Sequence, residues 1–364
     1  MVKKRVYDLY IPTFHPNERG HGGEKWCAFL AKSCCPSWIR FEREKISAGN
    51  VVRSLFLLAI SVLKTKRYGF LVLRAIVSNR AYNHDLKKAF SDLLHAYNIL
   101  RSLRPGKTYL IDWHNSTNRL LPIVLHQNNI VFDFGIQNIE SLVYGQYENK
   151  FEELKHEIKC LSLARDCITT GSSDTHLLGL FGVRSEPLNY KPDRHTVRKF
   201  LAVRRYRKPL KHFSGYLIFG SYRNPPTAAG MREIIANYPV DAEDLIVAGF
   251  GSERLLEENS LVLPSNVVVL GTVEEDVLME LLSKVKAVIV FQPPTTGTVL
   301  KFNELLYSGV PIFCNWNALR GSMSHPSIRV FNTLDNLLKS VCRIPKKSIL
   351  DGTALDIVSR INGV

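Results

Sequence analysis

The chain has 364 residues, 45% hydrophobic and 22% charged, which is enough for two domains and too apolar for a disordered polymer. No stretch approaches the about 18 consecutive apolar residues of a spanning helix. The opening "MVKKRVYDLYIPTFHP" lacks the apolar core and small-residue cleavage site of a signal peptide. Seven cysteines, an odd number with no CxxC or Cys/His spacing, point to neither a disulfide framework nor zinc, and a reducing cytosol is the expected home. The net charge of +15 is unevenly spread. Residues 1–193 carry 27 Lys/Arg against 18 Asp/Glu, residues 194–215 carry 8 against none, and residues 216–364 carry 13 against 15. Such asymmetry points to an acidic partner on one side: a membrane surface, nucleic acid or an anionic acceptor.

In chain order, "RVYDLYIP" (5–12) reads as a strand and "NERGHGGEKWCAFLAKSC" (17–34) as a glycine-rich loop entering a helix. The runs "KTYLIDW" (107–113), "NIVFDFG" (129–135) and "DCITTGS" (166–172) predict short buried strands ending in polar residues, and one long helix is expected over 139–164. Strands alternating with helices argue for a parallel sheet covered on both faces. The basic stretch 194–212 is followed by a second alternating series. Its strands are "GYLIFGS" (215–221), "DLIVAGFGS" (244–252), "NVVVLGT" (266–272), "KAVIVFQP" (286–293) and "GVPIFCN" (309–315), with helices expected over 228–239 and 274–285. The fold class expected is α/β: two doubly wound parallel-sheet domains facing a cleft, with ligands at the carboxyl ends of the strands.

The glycine loop "GHGGEK" (20–25) has neither the Walker nor the GxGxxG spacing, so Gly22 and Gly23 are weak ligand candidates by themselves. The run "TTGTVLKFNELLYSGVPIF" (295–313) is more specific. It places a polar glycine turn after one strand, a helix bearing Lys301 and Glu304, and then another strand. Amides at such a turn and at a helix start form a receptor for anionic oxygens. Other turns end the earlier strands, with Gly220 and Arg223 in "FGSYRNPP" and Gly251 in "AGFGS".

This succession resembles the donor half of the nucleotide-sugar glycosyltransferases of GT-B architecture. It is most similar to the branch with the motif Gly-[Ser/Thr]-Gly-Thr-x-Leu-Lys-x-x-Glu, matched here from Thr296 through Gly297, Thr298 and Lys301 to Glu304, then Gly309 and Pro311. The resemblance implies that Gly297 and Thr298 hold donor phosphate, that Lys301 and Arg223 supply positive charge, and that Glu304 accepts from ribose hydroxyls. Thr296, Gly220, Gly251, Gly22 and Gly23 would complete the donor side. In the first half "VFDFGIQNIESLVYGQY" (131–147) resembles the family's strand followed by His-Asn-x-Glu-Ser, with Gln137 in place of the histidine, then Asn138, Glu140 and Ser141. The earlier family glutamate, eight positions before the ribose glutamate, is Thr296 here. Gln137 and Asn138 are expected on the acceptor side, and Asp112, His114 and Glu140 are the candidates for a general base.

The implied reaction is transfer of a sugar from a nucleotide diphosphate sugar to a hydroxyl on a glycan or lipid-linked glycan, of the retaining type. No Asp-x-Asp pair occurs, so neither a metal nor any other cofactor is expected. The alternatives are a nucleotide-sugar epimerase or phosphorylase on the same fold, or a non-catalytic basic protein that binds polyanions. The expected domains are an acceptor domain at 1–193, a basic linker at 194–214, a donor domain at 215–345 and a terminal helix at 346–364 crossing back to the first domain. Within the first domain, residues 39–107 carry 14 Lys/Arg against 4 acids among apolar runs. That composition suits either basic helices packed on the sheet or a peripheral contact with an anionic membrane at its cytoplasmic face. Nucleic acid is the weaker partner, because aromatic residues are not gathered among the charges.

Overall fold

The computed structural model describes residues 7–12, 16, 22–35, 37–39, 52, 56, 86–114, 119–208, 210, 213–258, 261–320 and 325–342. Most of the basic 39–107 region and all of 346–364 lie outside the described residues. The chain divides into two compact units, Met1–Tyr190 and Lys191–Val364.

The first unit holds a parallel sheet in the order β1-β2-β3-β4-β5, formed by Leu9–Ile11, Thr108–Asp112, Val131–Ile136, Cys167–Thr169 and Ser185–Pro187. Its helices are α1 (Gly22–Cys34), α2 (Leu86–Ser102), α3 (Leu121–Gln127), α4 (Lys150–Leu161) and α5 (Ser172–Leu180). Ile111, Trp113, Phe132 and Phe134 pack with Leu93 and Ile99 of α2 and Val124 of α3 in one apolar core. The single long helix expected over 139–164 is two pieces. A 3-10 turn at Glu140–Leu142 is followed by Gly145 at φ +70°, and α4 starts only where Asn149 accepts from the Glu152 amide. The left-handed glycine interrupts the ladder, and the Asn cap restarts it.

The second unit is doubly wound. Its sheet runs β11-β10-β9-β6-β7-β8, all parallel, with β6 Tyr216–Phe219, β7 Leu245–Ala248, β8 Val267–Gly271, β9 Ala287–Val290, β10 Ile312–Asn315 and β11 Ile328–Phe331. Its helices are α6 (Arg194–Arg207), α7 (Pro225–Ala236), α8 (Glu275–Lys284), α9 (Lys301–Ser308), α10 (Trp316–Leu319) and α11 (Leu334–Cys342). Side chains alternate across the sheet. Tyr216, Ile218, Leu245, Val247 and Ile289 meet α7 and α11 through Met231, Ile234, Leu337 and Val341. Leu217, Ile246, Val288 and Val290 meet α6, α8 and α9 through Phe200, Val203, Leu281, Phe302 and Leu305.

The expected basic linker is instead, over Arg194–Arg207, a helix that belongs to this unit. Asp193 caps it, accepting from the His195 and Thr196 amides. Its charges mask a buried face of Thr196, Phe200, Val203 and Arg207, four positions spaced three or four apart. Arg207 donates to the carbonyls of Leu282 and Val285, both at 2.7 Å, and closes the open end of α8. Burial pushes its guanidinium down to about 10.

Candidate functional site

In the second unit the chain leaves β8 and returns on the other side of β6 as β9. The carboxyl ends of β6 and β9 therefore flank the switch point where open α/β sheets bind ligands. Gly220 follows β6, and the turn Thr295–Thr298 follows β9 and leads into α9. The strand edge is built from glycines because backbones approach closely there. A Cβ on Gly249 would lie 2.3 Å from the Gly220 carbonyl oxygen, and one on Gly220 would lie 3.1 Å from Lys301 Nζ.

Lys301 joins the two strand ends. Its ammonium donates to the Phe219 carbonyl at 2.5 Å and sits 4.9 Å from the Phe219 ring centroid. Burial pushes its pKa down to about 8, while the nearby Glu304 carboxylate pulls it up. Glu304 is buried one turn further along α9. Gly297 is buried at φ +81°, a conformation that admits glycine far more readily than other residues. Arg223 is exposed, with its guanidinium 4.5 Å from the Phe250 ring centroid. Gly251, at φ +78°, brings its own turn under the Arg223 stem, and its amide donates to Thr272 Oγ1. Lys301, Gly220, Arg223 and Gly251 thus gather at neighbouring strand ends with the Thr296–Thr298 turn.

The mouth of α7 opens at the same edge, but Pro225 and Pro226 occupy its first positions and carry no N–H. Two of the usual orphan donors are missing there. Amide donors for an anion at this edge would therefore have to come from the turn after β9 and the start of α9.

Behind that turn runs a polar brace with no local sequence signal. Arg320 donates to Gln292 Oε1 at 2.9 Å and to the Thr296 carbonyl at 3.0 Å, and also reaches the Asn317 carbonyl. Gln292 in turn exchanges hydrogen bonds with Asn315 and donates to Thr227. Arg320→Ala removes the bonds that tie the Thr296 backbone to Gln292 and should cost about 1–3 kcal/mol of stability. Thermal melting of the variant checks it.

In the first unit, Asp112 is buried at the end of β2, where Cys27 of α1 donates its thiol to Oδ2 at 3.6 Å. His114, two residues on, lies 3.3 Å from Glu140 Oε1 through Nε2. Gln137 Nε2 donates to the Gly23 carbonyl at 3.4 Å, so the start of α1, at Gly22 and Gly23, meets the end of β3. Asn138 is half-buried beside it. His114 and Glu140 form one group, Gly23 and Gln137 another. Glu157 of α4, fully buried beneath the Glu140 turn, was not signalled by its helical spacing.

A surface depression of about 600 Å³ is lined by Asn237, Pro239, Leu334, Asp335, Leu338, Lys339 and Cys342. It lies at the far end of α7 from the switch point. Among the described residues no group of three or more His, Cys, Asp or Glu side chains is arranged to hold a metal ion.

No protein-family model matches the chain, and no curated protein matches it. Solved structures do. The chain is similar to the α,α-trehalose 6-phosphate synthase of Burkholderia multivorans, at 10% identity and TM-score 0.59 over 99% of this chain and 95% of that one. It is similar to Anabaena HepE in complex with UDP, at 11% identity and TM-score 0.57 over 93% and 88% of the two chains. Sucrose-phosphate synthase of Thermosynechococcus elongatus gives 12% identity and TM-score 0.55 over 92% and 89%. With two Rossmann-like parallel sheets, of five and six strands among the described residues, and likenesses that span nearly whole chains on both sides, this protein has the GT-B fold.

Proposed function

We propose that the protein is a glycosyltransferase that moves a sugar from a nucleoside diphosphate donor to an acceptor hydroxyl, with retention and without a metal. The observation that carries this reading is Lys301, whose ammonium stands at the end of β6 beside the glycine turn after β9. HepE has been solved with UDP, with UDP and glucose, and with UDP-glucose. Trehalose-6-phosphate synthase has served the study of glycosyltransfer with retention. In this chain the amides of Gly297 and Thr298 would grip the diphosphate, with Lys301 and Arg223 balancing its charge as it leaves. Glu304 would accept from the ribose hydroxyls. In a front-face transfer with retention the departing phosphate oxygen would take the acceptor proton as the sugar–phosphate bond breaks, so no protein base would be required. Asp112, His114, Glu140, Gln137 and Asn138 would then serve acceptor binding, and Gly22 and Gly23 would add backbone donors. The acceptor is a glycan or lipid-linked glycan, held for transfer at an anionic cytoplasmic membrane face by the basic 39–107 region. No helix among the described residues is long and apolar enough to cross a membrane.

A thermal-shift panel of nucleoside diphosphates and UDP-sugars, with and without EDTA, tests the donor site. A ligand at about 100 times its Kd adds about 2.7 kcal/mol, or roughly 5–10 °C for a domain of this size. The expected result is such a shift, unchanged by EDTA and diminished in Glu304→Gln. No shift with any nucleotide overturns the reading, and a shift abolished by EDTA overturns metal independence.

A further inference from the structure

Neighbouring strand ends in the second unit carry the same tripeptide: Phe219-Gly220-Ser221 closes β6, and Phe250-Gly251-Ser252 lies just past β7. Each phenylalanine backs a cation. Lys301 Nζ lies over the Phe219 ring and the Arg223 guanidinium over the Phe250 ring, 4.9 and 4.5 Å from the centroids. Phe250 is 49% exposed, so burial alone gives little reason for an aromatic residue at this position.

The loops after β6 and β7 are pinned together around the Arg223–Phe250 pair. The Tyr222 amide donates to the Phe250 carbonyl at 2.9 Å, and Gly251, at φ +78°, turns the chain beneath the Arg223 stem. A second pair braces the same loops. Arg232 lies 4.8 Å from the Tyr222 ring centroid and donates twice to Glu258, at 2.8 and 2.7 Å, while the Tyr222 hydroxyl donates to the same carboxylate. Burial and the Glu258 carboxylate push the Tyr222 phenol up to about 12, so it stays a donor.

The two arginines differ in one respect. Glu258 neutralises Arg232, whereas among the described residues no carboxylate pairs with Arg223. A carboxylate would occupy the N–H donors of Arg223 and cancel its charge. An aromatic face steadies a guanidinium while leaving both intact.

We propose that Phe250 is a positioning residue for the donor diphosphate, its ring holding the Arg223 guanidinium at the carboxyl edge of the sheet, where it donates to phosphate oxygens. This rests on the glycosyltransferase reading and adds to it a residue outside the Gly297–Glu304 motif. Part of the rotamer freedom that a long arginine loses on binding is already lost in the free protein, which favours the complex.

The test is calorimetric titration of UDP, GDP and ADP into the full chain, following whichever binds wild type most tightly. Phe250→Leu keeps apolar bulk but has no π face, and should weaken binding roughly three- to tenfold. Phe250→Tyr and Phe250→Trp keep the face and should bind within about twofold of wild type. In an Arg223→Gln background Phe250→Leu should cause no further loss, because the ring acts only through the guanidinium. Wild-type affinity in Phe250→Leu, an equal loss in the tyrosine and tryptophan variants, or the same loss with and without Arg223 would each overturn the inference. Failure of the donor reading is a different result, in which none of the three nucleotides binds wild type, and it takes this inference with it.

Discussion

Replacing Lys301 with methionine should weaken UDP binding roughly 10- to 100-fold, the range for a charge-assisted hydrogen bond to phosphate. The unliganded protein should be at least as stable as before. Lys301 is a half-buried cation whose ammonium is answered by the Phe219 carbonyl and by the field of Glu304. Methionine fills similar volume without the desolvation penalty. Loss of binding together with retained or increased melting temperature is the pattern of a group kept for its charge. A large drop in stability with affinity unchanged would place Lys301 in the scaffold instead.

The same residue sets a pH dependence. Its folded pKa of about 8 lies below the ordinary 10.5, so between those values the unfolded chain holds a proton that the folded chain has released. Folding stability should therefore rise with pH through that window. Nucleotide affinity should move the opposite way, falling as pH climbs past about 8 and Lys301 loses its charge. A bound diphosphate favours the ammonium, so binding above that pH should take up a proton. Calorimetry of UDP binding in two buffers of different ionisation enthalpy detects the uptake, and Lys301→Met should abolish it.

Gly230→Ala carries the second large effect, with a sign opposite to helix propensity. In an exposed helix interior the change would add up to about 1 kcal/mol. Here a Cβ would lie 1.8 Å from the Phe291 carbonyl oxygen and 2.7 Å from its carbon. Both are backbone atoms, so relief requires α7 to lift from the sheet. The expected cost is about 3 kcal/mol or more, or roughly 6–12 °C in melting temperature. Nucleotide binding should suffer as well, because Phe291 and Gln292 root the turn that follows β9. Gly179 in α5, with nothing within 4 Å of its added Cβ, is the control, and Gly179→Ala should be neutral or mildly stabilising.

The strand–helix alternation was legible because each buried strand of the second unit is an unbroken apolar run ending in glycine or a polar residue, as in "YLIF" before Gly220 and "AVIV" before the turn at Thr295. Where the chain departs from that pattern, expectation and structure part. The strand Ser185–Pro187 contains no β-branched or aromatic residue and sits at a sheet edge, where pairing with one neighbour suffices. Helix α6 looked like solvated charge because Arg207, a buried member of its apolar face, cannot be told from its exposed neighbours by residue type. Lys301 and Glu304 could be named from a local motif. Arg320 and Glu157 could not, since the bonds that place them reach back 24 residues to Thr296 and 16 residues to Ser141.

Helix α6 also decides how the second unit could be produced as an independent fragment. A gene piece starting at Gly215, where the first strand of the sheet is about to begin, would discard Phe200 and Val203 and bare the apolar sides of Phe302, Leu305 and Leu281. It would also strand the carbonyls of Leu282 and Val285 that Arg207 now answers. Such a piece should aggregate on expression, whereas one beginning at Lys191 retains Asp193 and the whole helix and should remain monodisperse.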